Sequence, residues 1–187
     1  RFEMRLELPR LLRQSGATVL YVTQDYKEAM ALADRIAVLA GGKFVQIATP
    51  EDIYLRPATL GVARLFGDPS INTLDTAIAT DGASVNVAGK PLSIARDYKG
   101  HAGKPVTFGV RPEAVSLAAS GITAEVMAVT PLNERVVLLL TAEGGWELLA
   151  SLPSTAKVPE PGSTVHLAFA AEGSHLFDKA TGERLHG

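Results

Sequence analysis

Cysteine is absent from this 187-residue chain, which excludes disulfides, thiol nucleophiles and thiolate metal sites and is compatible with a reducing compartment. Aromatic residues are scarce, at 6% with one Trp, so a surface for stacking bases or sugars has little to draw on. Long apolar runs are also missing. None reaches the roughly 18 residues that a membrane-spanning helix needs, and no signal-peptide pattern is present. Any membrane association is therefore expected to run through a partner. Neither sign of charge dominates, with 18 Lys/Arg against 20 Asp/Glu.

That balance is uneven along the chain. Residues 1–66 carry nine Lys/Arg against seven Asp/Glu, net +2, and residues 67–187 carry nine against thirteen, net −4. An acidic second half argues against nucleic-acid binding, which depends mainly on neutralising phosphates.

The first part reads as α/β. Met4, Leu8, Leu11 and Leu12 recur at helical spacing, Pro9 is expected to kink that helix or mark its start, and Gly16 closes it. Residues 18–22 (TVLYV) form a short β-branched run of the kind buried in parallel sheets. Asp25 followed by Glu28 resembles a capping box, with Tyr26, Ala29, Met30 and Ala33 as the apolar face behind it. Residues 35–40 and 44–48, joined through Gly41-Gly42, read as a hairpin. Thr49-Pro50-Glu51-Asp52 is a strong helix start, and short helices are expected over residues 52–55 and 59–66.

After Gly67-Asp68-Pro69 the texture changes. Runs at 84–87, 106–110, 123–129, 135–141, 146–150 and 164–170 alternate with Gly- or Pro-marked turns. That spacing predicts an all-β unit, a small barrel or sandwich.

Chemistry-bearing motifs are few. Gly89-Lys90-Pro91 and Gly103-Lys104-Pro105 imitate part of a phosphate-binding loop. Both put Pro where the magnesium-binding hydroxyl belongs, and neither has the upstream Gly; they read as turns. His101, His166, His175 and His186 are scattered without metal-ligand spacing, so no metal site is expected, and no Ser has a nucleophile-elbow setting. What remains is the junction Thr23-Gln24-Asp25, where an apolar run ends and a helix begins. Ligands in α/β proteins bind beyond the carboxyl ends of strands, so Gln24 is either a ligand-contacting residue or, with Asp25, part of a turn and cap.

The segment from "YVTQDYKEAM" to "FGDPSINTL" resembles the end of the ATPase subunit of an ABC importer of the carbohydrate-uptake group, near the maltose and glycerol-phosphate transporters. The matching pieces are Tyr21-Val22-Thr23-x-Asp25, Glu28-Ala29-Met30, Ala33-Asp34-Arg35, Thr49-Pro50, Arg56-Pro57 and Gly67-x-Pro69-x-x-Asn72. Looser matches follow in Phe108-Gly109-Val110-Arg111-Pro112-Glu113, Leu176-Phe177-Asp178 and Thr181-Gly182-Glu183-Arg184.

The resemblance implies a fold in two parts: residues 1–66 as the C-terminal end of a RecA-like nucleotide-binding domain, and residues 67–187 as an OB-like (TOBE) regulatory barrel. It also implies a C-terminal piece of a longer subunit, because the family's phosphate loop, signature sequence, magnesium carboxylate and catalytic Glu precede the region matched by Arg1. The whole subunit would use ATP and Mg; this chain alone is expected neither to hold them nor to hydrolyse ATP. Implied partners are transmembrane permease subunits, a second ATPase subunit in a homo- or heterodimer, and in some members a signalling protein on the barrel, on the cytoplasmic face of the membrane. Gln24 falls where the family usually has His, the switch residue at the ATP γ-phosphate. The competing reading is a free-standing β-barrel interaction or ligand-binding protein with an α/β appendage.

Overall fold

The structure, a computed structural model, describes residues 2–94 and 97–186. Side chains of residues 1–6, including Met4 of the expected helix face, lie outside the described residues. The chain forms two compact units, residues 1–58 and 59–187; the sequence reading places its boundary near residue 67.

In the first unit, α1 (Phe2–Ser15) carries Pro9 in its interior and half-buries Leu8 and Leu12, while Leu11 is exposed. Gly16 closes it with φ at +65°, a conformation that suits a residue without Cβ. α2 (Tyr26–Leu32) begins at Asp25, and the antiparallel hairpin β1 (Ile36–Ala40) and β2 (Lys43–Ala48) turns at Gly41 and Gly42, both at positive φ. The hairpin buries Ile36 and Val38. α3 (Pro50–Leu55) starts as its sequence predicts. Pro50 sits in the first turn, and Thr49 Oγ1 accepts from Asp52 N at 3.2 Å. The Gln46 amide of β2 then holds the chain leaving α3, donating to Arg56 O and accepting from Ala58 N.

The strand expected over residues 18–22 does not form. Val19, Leu20, Tyr21 and Val22 are exposed, Leu20 by 91% and Val22 by 87%. A parallel-sheet strand exists through pairing on its edges and burial of both faces, and among the described residues no strand lies alongside this run. The α/β expectation thus holds in local elements without a parallel sheet. The described chain is mostly β.

The second unit opens with α4 (Leu60–Leu65), capped by Thr59 Oγ1 on Val62 N, and continues as an all-β assembly. One sheet has the order β10-β9-β8-β11-β7 and a second β12-β6-β3, with the hairpin β4-β5 beside them. The strands are β3 (Asn72–Ala77), β4 (Ser84–Val87), β5 (Lys90–Ser93), β6 (Pro105–Val110), β7 (Val115–Ala118), β8 (Ile122–Pro131), β9 (Arg135–Ala142), β10 (Glu147–Pro153), β11 (Thr164–Phe169) and β12 (Ser174–Asp178). All pairings are antiparallel. β9 shows the period-2 rule directly: Val136, Leu138, Leu140 and Ala142 are buried, and their neighbours are half-buried.

β6 is buried on both faces. Val106, Phe108 and Val110 enter the main core with Leu138, Leu140 and Leu148, while Gly109 on the opposite face meets Ile71 and Phe177, which pack with Ala63 of α4. A Cβ at Gly109 would lie 3.0 Å from both Ile71 Cδ1 and Phe177 Cε2, so this strand needs glycine where the second layer presses against it. The two lysine decoys are turns. Ala88 and Gly89, both at positive φ, join β4 to β5, and Gly103 precedes β6. Their lysines are engaged within the fold, Lys90 with Gly121 O and Thr123 Oγ1, and Lys104 with Asp178.

Candidate functional site

Gln24 stands exposed at the junction into α2, on a turn whose other polar groups are engaged. Asp25 is the N-cap: its Oδ1 accepts from Lys27 N at 2.9 Å and Glu28 N at 3.3 Å. The start of the helix is thus occupied by a carboxylate of this chain, which leaves those two amides no role as an anion cradle. The expected capping box is half realised. The Asp25 amide donates to Thr23 Oγ1 at 3.0 Å. Glu28 Oε2 accepts from Thr23 Oγ1 at 3.0 Å and from Tyr21 OH at 3.1 Å. Gln24 is held in place by its neighbours and carries a neutral amide able both to donate and to accept. Sequence reasoning picks out Gln24 and Asp25 but misses the part of Glu28, because spacing alone does not say which hydroxyl a carboxylate will choose.

Three further motif residues, Arg111, Gly67 and Asn72, have structural work in the second unit. Arg111, between β6 and the 3₁₀ turn Pro112–Ala114, is only 2% exposed. Its Nη1 donates to Ala63 O at 2.8 Å and Phe66 O at 2.6 Å, two carbonyls at the end of α4. A cation there satisfies terminal carbonyls and opposes the helix dipole. Gly67 makes room for it: a Cβ at residue 67 would lie 2.7 Å from Arg111 Nη1. Asn72 spans the two sheets, its Nδ2 donating to Leu149 O and its Oδ1 accepting from Leu149 N, both at 2.8 Å. This side chain satisfies the free edge of β10 as a backbone neighbour would. Trp146 adds a bond from Nε1 to Thr73 O at 3.0 Å.

Three aromatic residues of this unit pack on one another. Phe108, Trp146 and Phe169 pack in a triangle with centroids 6.0–6.4 Å apart, and Trp146 is 7% exposed. Ion pairs lie at the edges of the β12-β6-β3 sheet. Lys179 and the Thr107 hydroxyl hold the Asp75 carboxyl below its ordinary value, and Lys104 with the amides of Ala180 and Thr181 does the same for Asp178. Among the described residues no three His, Asp or Glu gather as metal ligands, and no helix is long and apolar enough to cross a membrane.

Comparison with known proteins gives two family matches: a MalK OB fold domain over residues 67–115 and a TOBE domain over residues 108–177. The chain is 39% identical over 193 residues to the sn-glycerol-3-phosphate import ATP-binding protein UgpC of Salmonella typhimurium, covering 99% of this chain and 52% of that protein. The UgpC of Yersinia pestis is 37% identical with the same coverage. An uncharacterized ABC transporter ATP-binding protein, y4oS of Sinorhizobium fredii, is 36% identical, covering 100% of this chain and 50% of that one. The chain spans about half the length of the curated relatives it matches. A solved structure of the molybdate-binding protein ModG overlays with a TM-score of 0.47 at 19% identity, over 56% of this chain and 94% of that chain, too low a likeness to carry an argument.

Proposed function

This chain is a homologue of the ATP-binding subunits of ABC importers, with their OB and TOBE regions, and on that premise we propose that it is the C-terminal part of the motor subunit of an importer for sugars, sugar phosphates or related small polar solutes. On this reading residues 1–66 are the C-terminal portion of a RecA-like nucleotide-binding domain, and residues 67–187 are a regulatory OB-like domain. The observation that carries it is similarity over 99% of the chain to an import ATP-binding protein. The exposed run from Val19 to Val22 supports it: four consecutive apolar residues in water are explained if they take a place in a sheet completed by other parts of the nucleotide-binding domain. The alternative of a free-standing ligand-binding barrel loses its support, since Trp146 and its aromatic neighbours are spent on packing.

The subunit would bind ATP and Mg, pair with a second ATPase subunit, and act on the inner face of the membrane through permease subunits, with its β domain open to a regulatory protein. Gln24 takes the switch position, donating its side-chain N–H to a γ-phosphate oxygen. An imidazolium there would make a charge-assisted bond, worth about 1.5–3 kcal/mol against about 0.5–1.5 for a neutral one. A difference of about 1.4 kcal/mol in the transition state is about tenfold in rate.

The test is the ATPase rate of the subunit assembled with its permease, comparing native Gln24 with Gln24→His. A gain of about tenfold or more identifies Gln24 as a weakened switch and points to a heterodimer with a His-bearing partner. Equal, robust rates make Gln a working switch in a homodimer. An assembly without ATP-dependent activity in either form overturns the motor assignment.

A further inference from the structure

The residues flanking Gln24 are tied together by a short chain of side-chain hydrogen bonds that ends on one carboxylate. Glu28, on the first turn of α2, accepts at a single oxygen from Tyr21 OH, three residues before Gln24, and from Thr23 Oγ1, immediately before it. The same Thr23 hydroxyl accepts from the amide of Asp25, immediately after Gln24. Asp25 is fixed in turn by its cap on Lys27 N and Glu28 N. Residues 23–25, between the apolar run and α2, have no backbone strand pairing among the described residues, so these side-chain bonds are what fixes the turn that carries Gln24.

We propose that Glu28 is a positioning residue for Gln24: its carboxylate gathers the Tyr21 and Thr23 hydroxyls so that residue 24 is presented in one backbone conformation, its amide directed outward. The inference rests on the reading of Gln24 as the γ-phosphate contact. The physical reason is preorganisation. A neutral amide has no long-range charge to compensate for a poor approach, so its contribution to phosphoryl transfer depends on arriving at the right distance and angle. Thr23 is the relay, because its hydroxyl donates to Glu28 and accepts from Asp25 N at once. Tyr21 makes only one of these bonds, and its loss should matter less.

The test uses the subunit assembled with its permease. It measures kcat and KM for ATP in Gln24→Ala, Glu28→Ala, Glu28→Gln and the Gln24→Ala/Glu28→Ala double variant, with amide hydrogen exchange at residues 24 and 25. Glu28→Ala should lower kcat about tenfold at unchanged KM and speed exchange at Asp25. Glu28→Gln, which keeps an acceptor oxygen, should retain most of the rate. In the Gln24→Ala background Glu28→Ala should cost nothing further, since a group acting through Gln24 has nothing left to position. Multiplicative losses in the double variant, or a Glu28→Ala enzyme with unchanged kcat, overturn the inference while leaving the Gln24 reading intact. A Gln24→Ala enzyme with native kcat overturns the reading and the inference together. If Glu28→Ala does not assemble, Thr23→Val gives the same comparison: it removes the relay hydroxyl at nearly constant volume.

Discussion

Arg111 shows how burial gives a single charged residue a structural task. The guanidinium of a residue only 2% exposed is tolerable where hydrogen bonds replace its water, and two carbonyls at the end of α4 do so at Nη1. Arg111→Lys keeps the charge, but its shorter side chain cannot set its ammonium where Nη1 meets both oxygens. It should destabilise the protein by about 1–3 kcal/mol, the cost of buried polar groups left unpaired. Gly67→Ala pushes a methyl to 2.7 Å from Nη1 and should cause a loss of similar size, about 1–3 kcal/mol from overpacking. Chemical denaturation of each variant checks both, and native stability in Gly67→Ala would contradict the cradle. Arg111 and Gly67 stand plainly in the sequence motifs, but their pairing was not legible there, since nothing local links residues 67 and 111.

Among the elements, the legible ones are those whose determinants lie within a few residues. The Thr49 cap with Pro50, the Gly41-Gly42 turn and the Asp25 cap all form as their sequence implies. Strands β3, β5, β7 and β12 were not singled out as strands, because NTLDTA, KPLS, VSLA and SHLFD are short and only weakly alternating; β3, β7 and β12 form beside β6 and β11. The edge strands β3 and β12 are pinned through Asp75 and Asp178, whose carboxyls are held below the ordinary value near 3.8. A carboxyl lowered in the folded state adds stability that is present above its unfolded-state value and is lost as pH falls through the folded one. Stability should therefore decline below about pH 4, and Asp178→Asn should lower Tm at neutral pH while flattening that acid decline. A Tm series across pH 2–7 (roughly the carboxylate range) measures it; parallel curves for variant and native protein would rule out Asp178 as a contributor.

At the scale of the second unit, Asn72 joins two sheets by acting as a substitute strand residue for Leu149 of β10. Asn72→Asp preserves size but turns the donor that served Leu149 O into an acceptor, setting a buried carboxylate against a carbonyl. The expected loss is about 1–3 kcal/mol or more at neutral pH. Protonation restores a donor, so the loss should shrink as pH falls below the carboxyl's raised pKa. Urea unfolding at neutral and acid pH distinguishes this from a simple loss of packing, which would be independent of pH.

The local grammar of this protein can be read along its chain: its caps and turns, the change from α/β to β texture near residue 67, and the place of Gln24 at a strand-like run meeting a helix. These depend on interactions between near neighbours, which a linear text displays. Tertiary structure alone decided that Arg111 reaches carbonyls 48 and 45 residues away, that Asn72 bonds a strand 77 residues away, and that residues 18–22 remain exposed instead of forming a strand. A buried donor or a strand edge is satisfied by whatever the fold brings beside it, and that partner is set by the packing of distant segments, not by spacing along the chain.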